Sequence, residues 1–110
     1  MGALLVQEVA EEAAGRTIRL VAGVGAGVRS YADQVVRASA SAALNLAEGH
    51  GRLGRDKRHH YVIAYGSAQE ASAALRILAA AQAIDGGEAQ AVLALLDRVR
   101  AMTWRLAHPR

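Results

Sequence analysis

The chain has 110 residues and a mass of 11.5 kDa, a scale that fits one compact domain and excludes a multidomain enzyme. Alanine occurs 26 times, phenylalanine and cysteine are absent, and the one proline is Pro109, so no proline breaks a helix and disulfides and thiolate metal sites are excluded. Thirteen bases, twelve of them arginine, stand against ten acids, and the net charge of +3 permits nucleic-acid binding without demanding it.

The first predicted helix runs from about Ala3 to Val21, with Val6, Val9, Ala10, Ala13, Thr17, Leu20 and Val21 at helical spacing on one face. Its acids Glu8, Glu11 and Glu12 precede Arg16 and Arg19, in the sense the helix dipole favours, and Glu12 and Arg16 form an i,i+4 pair. Gly23, Gly25 and Gly27 interrupt the pattern, and Ser30 with Asp33 three residues later resembles an N-cap with a capping-box acid. The second helix spans about 31–48, buries Ala32, Val35, Val36, Ser39, Ala42, Ala43 and Leu46, and is expected to end at Gly49. After the polar stretch 50–55, Asp56 is the expected cap of a third helix over about 56–84. Asp85-Gly86-Gly87 makes a turn, and the fourth helix, about 88–107, carries Ala89, Val92, Leu93, Leu96, Val99, Met102, Thr103 and Leu106 as its apolar stripe.

Four amphipathic segments with short connections predict an all-α, antiparallel up-down-up-down four-helix bundle as a single domain over 1–110, with an extended helical hairpin completed by an oligomer as the alternative. The third helix predicts association as well. Tyr61, Ala64, Tyr65, Ala68, Leu75 and Ala79 form one face, while Ile63, Ala74, Ile77 and Ala81 form a second stripe about 120° away that suits another copy of the chain or fuller burial in its own bundle. The longest apolar runs, around Ile77–Ala81 and Val92–Leu96, are far below the roughly 20 residues of a membrane-spanning helix. The start Met1-Gly2-Ala3-Leu4-Leu5 lacks a basic secretory leader, so a cytoplasmic chain without a membrane partner is expected.

The segment Arg37-Ala38-Ser39-Ala40-Ser41-Ala42-Ala43-Leu44-Asn45-Leu46-Ala47-Glu48-Gly49 closely resembles the signature of the four-helix-bundle proteins encoded in intervening sequences of bacterial 23S ribosomal RNA genes. That family's pattern reads R-A-x-x-S-[I/V]-x-x-N-[I/L]-A-E-G, then an Arg, here Arg52, then A-x-G-S-x-x-E, here Ala64 to Glu70. Ala42 replaces the usual branched residue, and the run Gly23 to Gly27 replaces a loop that more often carries proline. The resemblance covers residues 31–107 well and the first helix by pattern. It implies a homo-oligomer, in first place a pentamer, without an assigned activity. A distant relative, the accessory protein of diversity-generating retroelements, works with a reverse transcriptase and RNA, which makes nucleic-acid binding the expectation at family level.

Arg37, Ser41, Asn45 and Glu48 span about 80° on the second helix, roughly opposite its apolar face, and Gly66, Ser67 and Glu70 lie away from the main apolar face of the third. Two readings stand for these motifs and Gly49: a polar network, Arg37 or Arg52 with Glu48 or Glu70, that docks helices or subunits, with Gly66 admitting a neighbouring backbone; or a ligand site. The densest basic stretch is Arg52, Arg55, Lys57, Arg58, His59 and His60, with His50 nearby and Asp56 as its single acid. At a helix start it suits a nucleic-acid phosphate, RNA more than DNA, or serves solubility. Trp104 lies off the fourth helix's stripe as interface packing or a base-stacking platform.

No cofactor or metal is expected. His59 and His60 point about 100° apart, and no Glu has a His three positions on. The glycine run lacks a complete G-x-G-x-x-G and a P-loop lysine, and no local motif activates a serine. The sequence therefore reads as a non-enzymatic, homo-oligomeric bundle that binds nucleic acid through repeated Arg-rich patches, with an oligomeric scaffold for a partner protein as the competing reading.

Overall fold

The structure, a computed structural model, describes residues 2–109. Helices α1 (Gly2–Val21), α2 (Arg29–His50), α3 (Gly54–Ala80) and α4 (Gly86–Ala107) pack in a ring of neighbours, α1 on α2, α2 on α3, α3 on α4 and α4 back on α1. Gln7 near the start of α1 reaches the Ala43 carbonyl late in α2, Ser41 meets Ser67, and Arg58 at the start of α3 reaches Ala107 at the end of α4, so neighbours run antiparallel. The chain is thus the expected all-α four-helix bundle, an elongated body of 43 × 21 × 17 Å.

Small side chains make the core. Val6, Val35, Val92, Val99 and the four leucines Leu46, Leu75, Leu78 and Leu96 are the largest apolar groups fully buried, and alanines such as Ala13, Ala64, Ala68, Ala71 and Ala89 fill the space between them. Close packing of helices then adds dispersion contacts to the area removed from water. Two of the buried hydroxyls find local partners: Thr17 donates to the Ala13 carbonyl and Ser72 to that of Ala68, each within its own helix.

Five helix ends differ from the sequence reading. α2 starts at Arg29 with no side-chain cap, because a 3-10 turn over Ala26–Val28 feeds directly into it, so Ser30 lies inside the helix. Gly49 does not end α2, which continues to His50. α3 starts at Gly54, two residues before the expected cap; Gly54 at φ +59° turns the extended chain into the helix, and Asp56 falls in the first turn. α3 stops at Ala80 instead of near Ile84 because Gln82 adopts φ +57°, with its N–H on the Ala79 carbonyl and the Ala83 N–H on that of Leu78. This pair of bonds is a Schellman closure with glutamine in the position that glycine usually takes. Asp85 is itself the cap of α4, accepting from the Glu88 N–H at 2.8 Å, so that helix begins at Gly86.

Candidate nucleic-acid interface

The signature residues come together along the seam between α2 and α3. The hydroxyls of Ser41 and Ser67 lie 2.8 Å apart, joining the first motif to the second. The Asn45 side-chain amide donates to the Ser41 carbonyl at 2.9 Å, and its oxygen lies 3.1 Å from Nδ1 of His60, which donates there. Gln34 donates to Glu70 across the same seam at 3.1 Å. Of the pairings expected for the network, Arg52 with Glu48 forms, at 2.8 Å, and Arg52 also holds Asp56 at 2.8 Å. Both carboxylates raise the guanidinium's already high pKa. Arg37 is exposed and makes no hydrogen bond or ion pair among the described residues.

Gly49 has a steric role that spacing alone does not reveal. It is buried inside the last turn of α2, and a Cβ placed on it would lie 2.7 Å from the ring of Tyr61 on α3. That ring is itself buried, and its hydroxyl lies 2.9 Å from Nδ1 of His50, so His50 folds against α3 instead of joining a surface patch. Burial and the nearby Lys57 ammonium hold the His50 imidazole below its usual pKa. Gly66, by contrast, faces open space within the chain.

The second stripe of α3 is corrected at one position. Ala74 is 4% exposed and belongs to the core, since it sits between the buried Ala71 and Leu78 rather than on the outer face. Ile63, Ile77 and Ala81 do face outward, the two isoleucines being 37% and 50% exposed, and Leu44 on α2 is 67% exposed.

The basic stretch separates into engaged and open groups. Arg52 is neutralised as above, His60 is turned toward Asn45, and Arg58 donates through Nε to the Ala107 carbonyl at 2.7 Å, where its charge also meets the C-terminal end of the α4 dipole. Lys57 holds its ammonium 5.8 Å from the centre of the Tyr61 ring. Arg55 and His59, one turn apart on α3, are exposed and make no hydrogen bond or ion pair among the described residues. The cap position of α3 is Leu53, whose side chain accepts nothing from the first turn, so the helix start keeps N–H groups available beside Arg55.

Two other arginines are paired. Arg16 grips both oxygens of Glu88 at 2.8 Å and reaches Glu12 at 3.0 Å, and the guanidinium lowers the Glu88 carboxyl below its usual range. Arg100 on α4 pairs with Asp97 and reaches Gln69 at 3.2 Å. Among the described residues no three His, Asp or Glu side chains converge as a metal site, and no helix is long and apolar enough to cross a membrane.

An antiparallel four-helix bundle whose α2–α3 seam is tied by a serine, asparagine and histidine network defines the class of protein. Residues 4–105 match the 23S rRNA-intervening sequence protein family, and the chain belongs to that family. Among solved structures, a protein of unknown function from the S23 ribosomal protein family of Bacteroides thetaiotaomicron VPI-5482 superposes with a TM-score of 0.87. The match covers 97% of this chain and 98% of that one at 18% identity, a likeness of fold. No curated protein matches the chain.

Proposed function

We propose that the chain is a non-enzymatic, self-associating bundle that binds RNA through its α3 start, repeated around a ring of copies. One observation carries this reading: Arg55 and Lys57 stand beside an uncapped helix N-terminus, while Asp56, the only acid in the stretch, is already held by Arg52. Phosphate oxygens suit that site on both counts, dipole and side-chain charge. Two cations per subunit bind weakly, but several copies on one backbone multiply the effect.

Association is assigned to the outer face of α3. Ile63 and Ile77 are exposed there with Gly66 between them, an arrangement that buries apolar surface only against a partner and admits a close backbone. The family resemblance of the signature implies five copies. An Ile77→Glu change is expected to lower the mass seen by native mass spectrometry.

The RNA reading is tested by anisotropy of a labelled RNA. Binding is expected at about 50 mM salt and to fall steeply by about 200 mM. Reversing Arg55 and Lys57 to Glu is expected to weaken it roughly tenfold or more, whereas Arg76→Glu, on the exposed far end of α3, leaves it nearly unchanged. No binding at the lower salt refutes the proposal.

A further inference from the structure

Trp104 is the chain's one tryptophan, and it is 51% exposed. It lies off the buried stripe of α4, which runs through Val99, Thr103 and Ala107. Its indole is nevertheless held in place. The Tyr65 ring on α3 packs against it at 5.6 Å between centroids, tilted by 56°, and the His108 ring lies nearly flat on it at 3.7 Å and 25°. His108 occupies one face of the indole, and the groove that Trp104 and Tyr65 line without His108 offers the remaining exposed surface of this preoriented ring to a flat aromatic ligand.

The surroundings define the rest of that ligand. The groove beside the indole measures about 400 Å³ and is lined by Tyr65, Asp97, Arg100, Ala101, Trp104 and Arg105. Asp97 is its only acid and is bound to Arg100, which leaves Arg105, exposed and without an acidic partner among the described residues, to set the sign of the groove. Arg58 and Tyr65, seven residues apart, fall within about 20° of each other on α3, whereas Arg55 lies about 80° around the helix from Tyr65. The groove therefore lies on the side of α3 where Arg58 is held by the Ala107 carbonyl, and Arg105 is its own unopposed charge.

We infer that Trp104 and Tyr65 form a stacking site for an unpaired nucleobase, with Arg105 meeting the adjoining phosphate. This rests on the RNA-binding reading and specifies it: the occupant is single-stranded, because a duplex hides the faces of its bases. A second copy of the chain is disfavoured as occupant. The groove carries an unopposed arginine, and Tyr65 lies about 160° around α3 from Ile63, so assembly through the isoleucine face leaves the groove open.

The test uses the whole chain, an oligoadenylate of about twelve nucleotides, its duplex, and an abasic strand of equal length. Anisotropy of the labelled strand reports binding, and tryptophan emission reports Trp104 alone. Strong quenching by oligoadenylate, with little by the duplex or the abasic strand, is expected. Trp104→Leu is expected to weaken oligoadenylate binding roughly tenfold and to abolish the preference over the abasic strand, and Trp104→Phe to keep it. Should Trp104→Leu fail to fold, Arg105→Glu in the native-tryptophan chain is expected to weaken oligoadenylate binding and its quenching together. Binding without quenching, or equal binding of the oligoadenylate and abasic strands, overturns the stacking site and leaves RNA binding intact. A lower assembly mass for Trp104→Leu also overturns it, by making the indole a subunit contact. Absence of binding by either strand at low salt refutes both readings.

Discussion

The signature on α2 and the basic stretch that follows it are neighbours in sequence and opposites in physical state. Ser41, Asn45, Glu48 and Gly49 are engaged within the chain, by Ser67, His60, Arg52 and the Tyr61 ring respectively. Arg55 and His59, within two turns, have no such partners among the described residues. Ser41, Asn45 and Gly49 thus hold α2 against α3, whereas Arg37, like Arg55, has no partner among the described residues. The difference also divides the basic stretch itself, because Arg52, Arg58 and His60 belong with the engaged group.

Three measurements sharpen or break that division. The largest effect is expected from Gly49→Ala. The added methyl collides with the buried Tyr61 ring and costs about 1–3 kcal/mol in urea unfolding. RNA affinity per folded molecule is expected to stay unchanged, and a stable Gly49→Ala protein with weakened RNA binding would place the signature in the binding surface instead. Next comes Asn45→Ala, which removes the bonds to Ser41 and His60 and is expected to cost about 1 kcal/mol. Equal stability of wild type and variant would count against the seam network.

The smallest effect is that of pH on the His50–Tyr61 contact. The folded imidazole has a lowered pKa, whereas the unfolded chain protonates near 6.5, so the unfolded state takes up the proton first as pH falls. This contribution to stability is present above pH 6.5 and is lost below it, toward the folded value. A modest fall in Tm between neutral and mildly acidic pH is expected, and His50→Gln should reduce that slope. An unchanged slope in the variant would show that His50 is not its source.

The limits of reading the site from sequence follow from particular residues. The pairing of Arg52 with Glu48 was legible as one of the motif pairings, because the two lie four residues apart, although Arg52 stands in the loop after α2. The Arg58 bond to Ala107 was not, since its partner lies 49 residues away on another helix. Gly49 reads as a stop signal until Tyr61 is placed over it, and Ala74 reads as surface until Ala71 and Leu78 are seen buried around it. Gln82 closes α3 in the left-handed conformation without the glycine that announces such a closure.

The sequence by itself determined the four helices and their inward faces. Apolar periodicity, abundant alanine and the absence of internal proline act over a few residues and need no knowledge of neighbouring helices. Only the tertiary structure decided which cations are engaged, why Gly49 must be glycine, and how Tyr65 and His108 hold Trp104 at the surface. Those outcomes depend on the register of one helix against another, which places groups distant in sequence within a few ångströms.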